Sequence, residues 1–456
     1  MTYAEAIQFL YGLQMFGANF GLERVRQLAA LAGDPQEKLR FIHVAGTNGK
    51  GSTCAMLESI YRAAGRRVGL FTSPHLVSFR ERIQVNRQLI SEADVVRLVD
   101  EIRVGLERRA PSRRVDAVLK LAETVLGAPM DGQDIQPTLF EFVAVMAMKF
   151  FAEQKCDLVI WETGLGGRLD ATNIVTPLAS VITNIAFDHQ QWLGDTLEKI
   201  AAEKAGIIKP DVPVITATDA PETLWVIENI ARENGARLIT VGPAARLFPF
   251  EINNSETGAT PVLRLLGDHQ KLNAALALAT VEVLQKQIPV SAENIRAGLA
   301  TVNWPGRLQL IERGGQKILL DGAHNVAGAK TLRAALEKKF AGIRPVFIFG
   351  ALADKKWPDI CRILAPLAAK VFTVPVASER TAKAGELADY FRSATPAAAT
   401  ACDNLADALI ACKDEPFVVI TGSLYLVGEA LEQLGLSPTG GGERGLNEWV
   451  VPHIPR

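Results

Sequence analysis

Phosphate chemistry is suggested by one nonapeptide. Ala45-Gly46-Thr47-Asn48-Gly49-Lys50-Gly51-Ser52-Thr53 follows the aliphatic run Phe41–Val44 and leads into a helix-period segment, Ser52–Ala64. A strand, a glycine loop and a helix N-terminus in that order let backbone N–H groups converge on phosphate oxygens, and Lys50 adds a full positive charge. The strict Walker spacing is not met. Its first glycine would fall at Val44, and Gly51 stands where a Ser or Thr normally follows the lysine. A metal-binding hydroxyl would therefore have to come from elsewhere. The alternative is a chance glycine turn, and the strand and helix flanks weigh against it.

Six further segments carry reactive side chains. Thr72-Ser73-Pro74-His75-Leu76, with Phe79, Glu81 and Arg82 after it, follows the strand-like run Val68–Phe71. That is the carboxyl end of a strand, where ligands collect in open α/β sheets. Ser73 could supply the missing oxygen, or the peptide could simply be a Ser-Pro turn. Trp161-Glu162-Thr163-Gly164-Leu165-Gly166-Gly167-Arg168-Leu169-Asp170 places a carboxylate ahead of a flexible loop. Glu162 there suits magnesium beside a phosphate chain, and the glycines that follow weigh against the alternative of a solvated strand-end glutamate. Asp188-His189 follows another strand. Lys204 closes a helix at Glu203-Lys204-Ala205-Gly206, where a cation is favoured by the dipole alone. Further on, Asp321-Gly322-Ala323-His324-Asn325 and Thr421-Gly422-Ser423-Leu424-Tyr425 sit at strand-to-helix junctions that could complete a site in an interdomain cleft. His43, His75 and His269 read as packing or hydrogen-bonding groups.

Strand-like and helix-like stretches alternate almost from end to end, the pattern of parallel sheets with helices on their faces. Strands are expected at Phe41–Val44, Val68–Phe71, Asp157–Trp161, Ala179–Ile185 and Val212–Thr216, then at Lys317–Leu320, Pro345–Phe349, Val371–Val374 and Phe417–Ile420. Helices are expected between them, and Ser91 is placed to cap the one that starts there. The two series part near Asn303-Trp304-Pro305-Gly306, a turn-rich tetrapeptide suited to a hinge. The expectation is an α/β chain: a P-loop N-terminal domain with a parallel sheet over 1–302, a smaller Rossmann-like C-terminal α/β domain over 303–436, and a loosely held tail over 437–456. Arg109 to Gln136 reads as an irregular excursion with one possible helix.

Composition narrows the function classes. The 456 residues are 48% hydrophobic and 22% charged, and 49 Lys+Arg face 50 Asp+Glu for a net charge of -1. That balance argues against a general nucleic-acid or membrane-surface binder. Met1 to Gly12 contains Glu5 and no basic n-region, and no apolar run reaches the 18 or so residues of a membrane span. The five cysteines show no C-x-x-C pairing, so reduced thiols in a cytoplasm are expected, none in a convincing nucleophile setting.

Taken together, these segments resemble the folylpolyglutamate synthase/dihydrofolate synthase family of the Mur ligase superfamily. The likeness runs from Gly21-Leu22-Glu23-Arg24 to Thr421–Tyr425 and is most specific at Gly46–Ser52, Ser73-Pro74-His75-Leu76 and Glu162 to Asn173. It implies an ATP-dependent amide ligase with two magnesium sites and a mobile C-terminal domain. Thr47, Asn48, Gly49, Lys50, Gly51 and Ser52 match the ATP phosphate loop, and Asn273, Arg307 and Asp321 match further ATP contacts. Ser73 and Glu162 match the ligands of one magnesium, and His189 with Lys204, a carbamylated lysine in the family, those of the other. His324 and Ser423 match positions associated with the incoming glutamate. Phe16, Gly17, Ala18, Thr138, Phe140, Glu141 and Leu169 match the pterin side, with Lys50, Lys204 and His324 as the catalytic groups. The excursion at Arg109 to Gln136 is the main departure. The reaction implied is transfer of the ATP γ-phosphoryl to a carboxylate of dihydropteroate or a folate, followed by attack of the L-glutamate amine. A ligase acting on a UDP-linked muramyl peptide and a non-ligating nucleotide switch are the alternatives. The resemblance further implies small-molecule partners and a monomer.

Overall fold

The computed structural model describes residues 1–14, 21–109, 135–242, 263–437 and 443–447. The first sheet contains β1 (Phe41–Ala45), β2 (Val68–Phe71), β3 (Ile83–Val85), β4 (Gln88–Leu89), β5 (Leu158–Glu162), β6 (Ala179–Ile182), β7 (Val214–Thr216) and β8 (Leu238–Thr240), in the order β4-β3-β2-β5-β1-β6-β7-β8. Its pairs are parallel from β2 through to β8, and the β2–β3–β4 edge is antiparallel. β1 lies inside the sheet with all five residues buried, as a near-continuous apolar run requires. Register matters most for the site: Val44 pairs with Glu162 on one side and with Val181 on the other. The carboxyl ends of β1, β5 and β6 therefore meet at one edge.

The second sheet contains β9 (Gln309–Arg313), β10 (Gln316–Leu320), β11 (Val346–Phe349), β12 (Lys370–Thr373), β13 (Ala398–Ala401) and β14 (Phe417–Thr421), in the order β13-β12-β11-β14-β10-β9. Only β9 runs antiparallel. The α/β architecture with a larger and a smaller sheet is the one expected. The short strands β3, β4 and β8 and the exposed or alanine-rich β9 and β13 escaped prediction, because each is defined by its pairing rather than by apolar periodicity.

Helices pack on both faces of each sheet. Thr138 and Glu141 form a reciprocal cap on the helix Leu139–Glu153, which buries Phe142 through Met148 and then Phe150 and Phe151. Each such large side chain contributes about 1.5–3 kcal/mol on burial. The packing of Phe151 and Phe71 on Trp161 fixes β5, and with it Glu162. Ser91 accepts the Asp94 amide at 3.0 Å, as its position suggested.

Two segments carry more than expected. The tetrapeptide at 303–306, expected as a hinge, also packs: the Trp304 indole lies over Gly51 and beneath the Arg87 guanidinium. The tail is not loose over Glu443–Asn447, a short 3-10 turn whose Leu446 joins the core of the first domain. One buried leucine and a set of specific hydrogen bonds hold it there, and neither leaves a periodic signal. Residues 438–442 and 448–456, residues 110–134 of the excursion, and the pterin-side candidates Phe16, Gly17 and Ala18 lie outside the described residues.

Candidate active site

A cavity of about 410 Å³ opens between the carboxyl edges of the two sheets. Every described residue singled out from the sequence as a site candidate lines it, from Thr47 to Ser423. The loop after β1 supplies its floor. Gly46 has φ 147°, and a Cβ there would lie 1.8 Å from Thr183 Oγ1. Only glycine permits that approach, which lets Thr183 Oγ1 donate to the Asn48 carbonyl at 2.7 Å. The Thr47 and Asn48 amides donate to the Asn184 carbonyl and side-chain oxygen at 2.8 Å each. Lys50 folds back to donate to the carbonyls of Gly46 at 3.1 Å and Thr47 at 3.4 Å. Gly51 has no room for a side chain, since a Cβ would meet the Trp304 ring at 2.9 Å. The absent hydroxyl after Lys50 thus has a packing cause. Ser52 Oγ accepts from Gln270, which in turn accepts from Asn273, so the helix Asp268–Val283 is tied to the loop.

Three titratable groups lie around this floor. Glu162 is 3% exposed and accepts the Ser73 amide at 3.3 Å. Burial pushes its carboxyl up to about 7, against the opposing charges of Lys50, Arg307 and Arg82. Lys204 is buried rather than solvated at its helix end, and it donates to the Gly46 carbonyl at 2.9 Å. Burial, with Lys50 adding repulsion, brings its amine down to about 7. His189 sits in left-handed backbone at φ 49°, and burial lowers its imidazole to about 3.

No group of three or more His, Cys, Asp or Glu side chains is gathered as a metal cluster among the described residues. A hard dication prefers oxygen. The buried Glu162 carboxylate beside Ser73 fits that chemistry. Lys204 fits it only if its nitrogen acquires oxygens.

The second sheet contributes the roof. Asp321 accepts the Leu308 and Ala323 amides at 3.0 Å each, and burial raises its carboxyl while Arg307 opposes the rise. His324 Nδ1 bonds the Gly322 carbonyl at 2.8 Å. Ser423 Oγ caps the helix Leu424–Gln433 through the Tyr425 amide. On the far wall Thr138 and Glu141 face the cavity but are engaged in their helix cap, and Glu141 also pairs with Arg24 at 3.1 Å. Phe140 lies against Gly164, with Leu169 nearby in the lining. Of the three histidines taken as packing groups, His43 is fully buried against Thr172 at 2.9 Å. The five cysteines are free, four of them buried, and burial raises the thiols of all five. None is set up as a nucleophile.

Asp188 was given no role from the sequence beyond preceding His189. Lys355 Nζ donates to it at 2.7 Å and Asn325 Nδ2 at 3.1 Å, and His324 Nε2 lies 3.6 Å away. Burial alone would raise its carboxyl, yet His324, His189 and Lys355 hold it far below the usual carboxylate range. Lys355, Asn325 and His324 all come from the second domain, so one carboxylate ties the two sides of the cleft together. Lys355 lies 167 residues away in the chain, which left no local signal.

Comparison with known proteins adds to this geometry. Residues 115–281 match the family model described as Mur ligase middle domain, and residues 306–424 match Mur ligase, glutamate ligase domain. A dihydrofolate synthase/folylpolyglutamate synthase of Bacillus subtilis (strain 168) is 36% identical over 447 residues, spanning 95% of this chain and 99% of the relative. A folylpolyglutamate synthase structure from Thermotoga maritima superposes with TM-score 0.79 at 33% identity, covering 97% of this chain and 98% of that one. An Escherichia coli enzyme solved in complex with DHPP and ADP superposes with TM-score 0.78 at 30% identity, over 95% and 98%. No described helix is long and apolar enough to cross a membrane.

Proposed function

The chain belongs to the folylpolyglutamate synthase/dihydrofolate synthase family of Mur ligases, and from that premise we propose how its cleft performs the family's ligation. It is an ATP-dependent ligase that adds L-glutamate to dihydropteroate or a reduced folate. A substrate carboxylate oxygen attacks the γ-phosphorus and ADP leaves. The amine of glutamate then attacks the acyl carbon, phosphate departs, and an amide remains.

Phosphoryl transfer asks little covalent help of the protein, so positioning and charge neutralisation dominate. Residues 1–302 hold the acid and the phosphates of the nucleotide, and 303–436 add Arg307 and Asp321 on the nucleotide and bring the glutamate side. The amides of Thr47 to Ser52 cradle the β- and γ-phosphates. Lys50 swings from the Gly46 and Thr47 carbonyls onto them and follows the charge as it develops. Asn273, Arg307 and Asp321 steady the rest of the nucleotide. Ser73 and Glu162 would hold one magnesium ion and His189 with carbamylated Lys204 a second, and bound metal would neutralise phosphate charge.

Carbamylation requires a neutral amine, which the depressed pKa of Lys204 supplies near neutral pH. His324 and Ser423 orient the incoming glutamate, while Phe140 and Leu169 line the pterin side. The Asp188 clasp keeps water from an acyl phosphate that would otherwise hydrolyse.

The observation that carries this reading is the convergence of the phosphate loop, Glu162, Lys204 and the His324 junction on a single cavity. Its test is labelled-glutamate incorporation with ATP and magnesium, offering dihydropteroate and tetrahydrofolate separately. Phosphate release should require both the acid and glutamate. Equal ATP turnover with neither would instead mark a nucleotide switch.

A further inference from the structure

Arg82 has no role in the scheme above, and its setting is unusual. It is 6% exposed and lies in the wall of the cavity. Nothing among the described residues offers it a carboxylate within ion-pair distance. Its Nε donates to His75 Nδ1 at 2.9 Å, and one terminal nitrogen donates to Asn447 Oδ1 at 2.6 Å. Asn447 Nδ2 donates in turn to the His75 carbonyl at 2.9 Å, which closes a ring of neutral hydrogen bonds. With Nδ1 accepting from Arg82, His75 carries its hydrogen on Nε2, which faces the Glu443 carbonyl at 3.0 Å.

The nearby acids are otherwise engaged. Glu81 accepts three backbone amides, of Leu76, Val77 and Ser78. Glu443 accepts from Tyr3, Ser78 and the Phe79 amide. Tyr425, Glu81 and Glu162, in that order, act on the guanidinium through charge alone. Burial lowers the guanidinium to about 10, so it stays cationic at neutral pH. A buried charge without a counter-ion is costly, and the surrounding ring fixes its plane rather than neutralising it.

We propose that Arg82, held flat by His75 and by Asn447 of the C-terminal turn, is the receptor for a substrate carboxylate that is not itself activated. A guanidinium presents a planar fork that matches a carboxylate. Two sources carry such a group: the α-carboxylate of incoming glutamate, and the α-carboxylate already on a folate. Dihydropteroate has only the carboxylate that reacts. The inference rests on the ligase reading, and wild-type incorporation of labelled glutamate tests that reading first and separately.

The experiment measures KM for glutamate, for tetrahydrofolate and for dihydropteroate in wild type, Arg82→Met and Asn447→Asp. Loss of a charge-assisted pair should raise one KM by about tenfold or more in Arg82→Met. A rise for glutamate alone assigns the receptor to the incoming amino acid. A rise for tetrahydrofolate with dihydropteroate unchanged assigns it to the folate. Asn447→Asp supplies an internal counter-ion, so it should melt no lower than wild type and still raise the same KM. Should Arg82→Met fail to fold, Asn447→Asp decides alone. All KM values unchanged in the variants that fold, all rising together, or a fall in kcat only would overturn the proposal.

Discussion

Replacing Asp188 with alanine removes the carboxylate on which three groups of the second domain converge. Asp188 and Lys355 are 10% and 12% exposed at their side chains, so the pair is largely desolvated. Deleting one partner of a buried ion pair costs about 3–5 kcal/mol, because the other charge is stranded. Here the domains can part and rehydrate Lys355, which caps the loss, so the lower end applies. About 3 kcal/mol lowers the closed population relative to the open one by roughly 150-fold. If only the closed cleft aligns acid and amine, kcat/KM for glutamate at saturating ATP falls by a similar factor. Asp188→Asn keeps the shape and an acceptor oxygen but loses the charge, so its loss should be smaller. Small-angle scattering should report a larger radius of gyration for the alanine variant. A kcat/KM within about threefold of wild type, with unchanged scattering, would refute the clasp. The Asn48–Asn325 and Asp268–Lys338 contacts would then suffice to hold the domains.

Four other outcomes follow from the same geometry. Lys50→Ala should lose at least about a hundredfold in kcat, roughly 2.7 kcal/mol of transition-state stabilisation, and near-normal turnover would remove Lys50 from the phosphate site. Lys204→Ala should fold yet lose most activity, with short-chain carboxylic acids restoring part of it; full activity in the variant would leave Lys204 a packing residue. Gly46→Ala forces a Cβ to within 1.8 Å of Thr183 Oγ1, so the loop must shift and nucleotide affinity should drop at least about tenfold by calorimetry, a result that unchanged affinity would contradict. His43 titrates near 3 when folded, below its ordinary 6.5, because burial excludes its charge. The unfolded chain therefore binds a proton the native one refuses, and stability falls as pH drops from 6.5 toward 3. His43→Gln should flatten that slope in urea titrations, and an unaltered slope would place the acid sensitivity elsewhere.

Much of this protein was legible in the chain itself wherever cause and effect are contiguous. The strand–glycine–helix order around Gly46–Ser52 encodes the backbone of the loop, since φ above zero, a helix N-terminus and a lysine lie within nine residues. The alternation of apolar runs and helical periods encodes two α/β layers, because burial on both faces of a parallel strand demands an apolar run. The place of Glu162 and Ser73 in the cavity wall was legible because strand ends are where such sheets expose side chains. The rest depended on which distant segments meet. Nothing in the sequence near Asp188 announces Lys355, and nothing near Arg82 announces Asn447, 365 residues away. Gly51 looked like a missing hydroxyl until Trp304 was found lying over it. Lys204 read as an ordinary helix-end cation, and only tertiary burial brings its amine to about 7. Local pattern follows from covalent neighbours and the period of each element, whereas charge state and pairing follow from desolvation and contact, which exist only once the chain has folded.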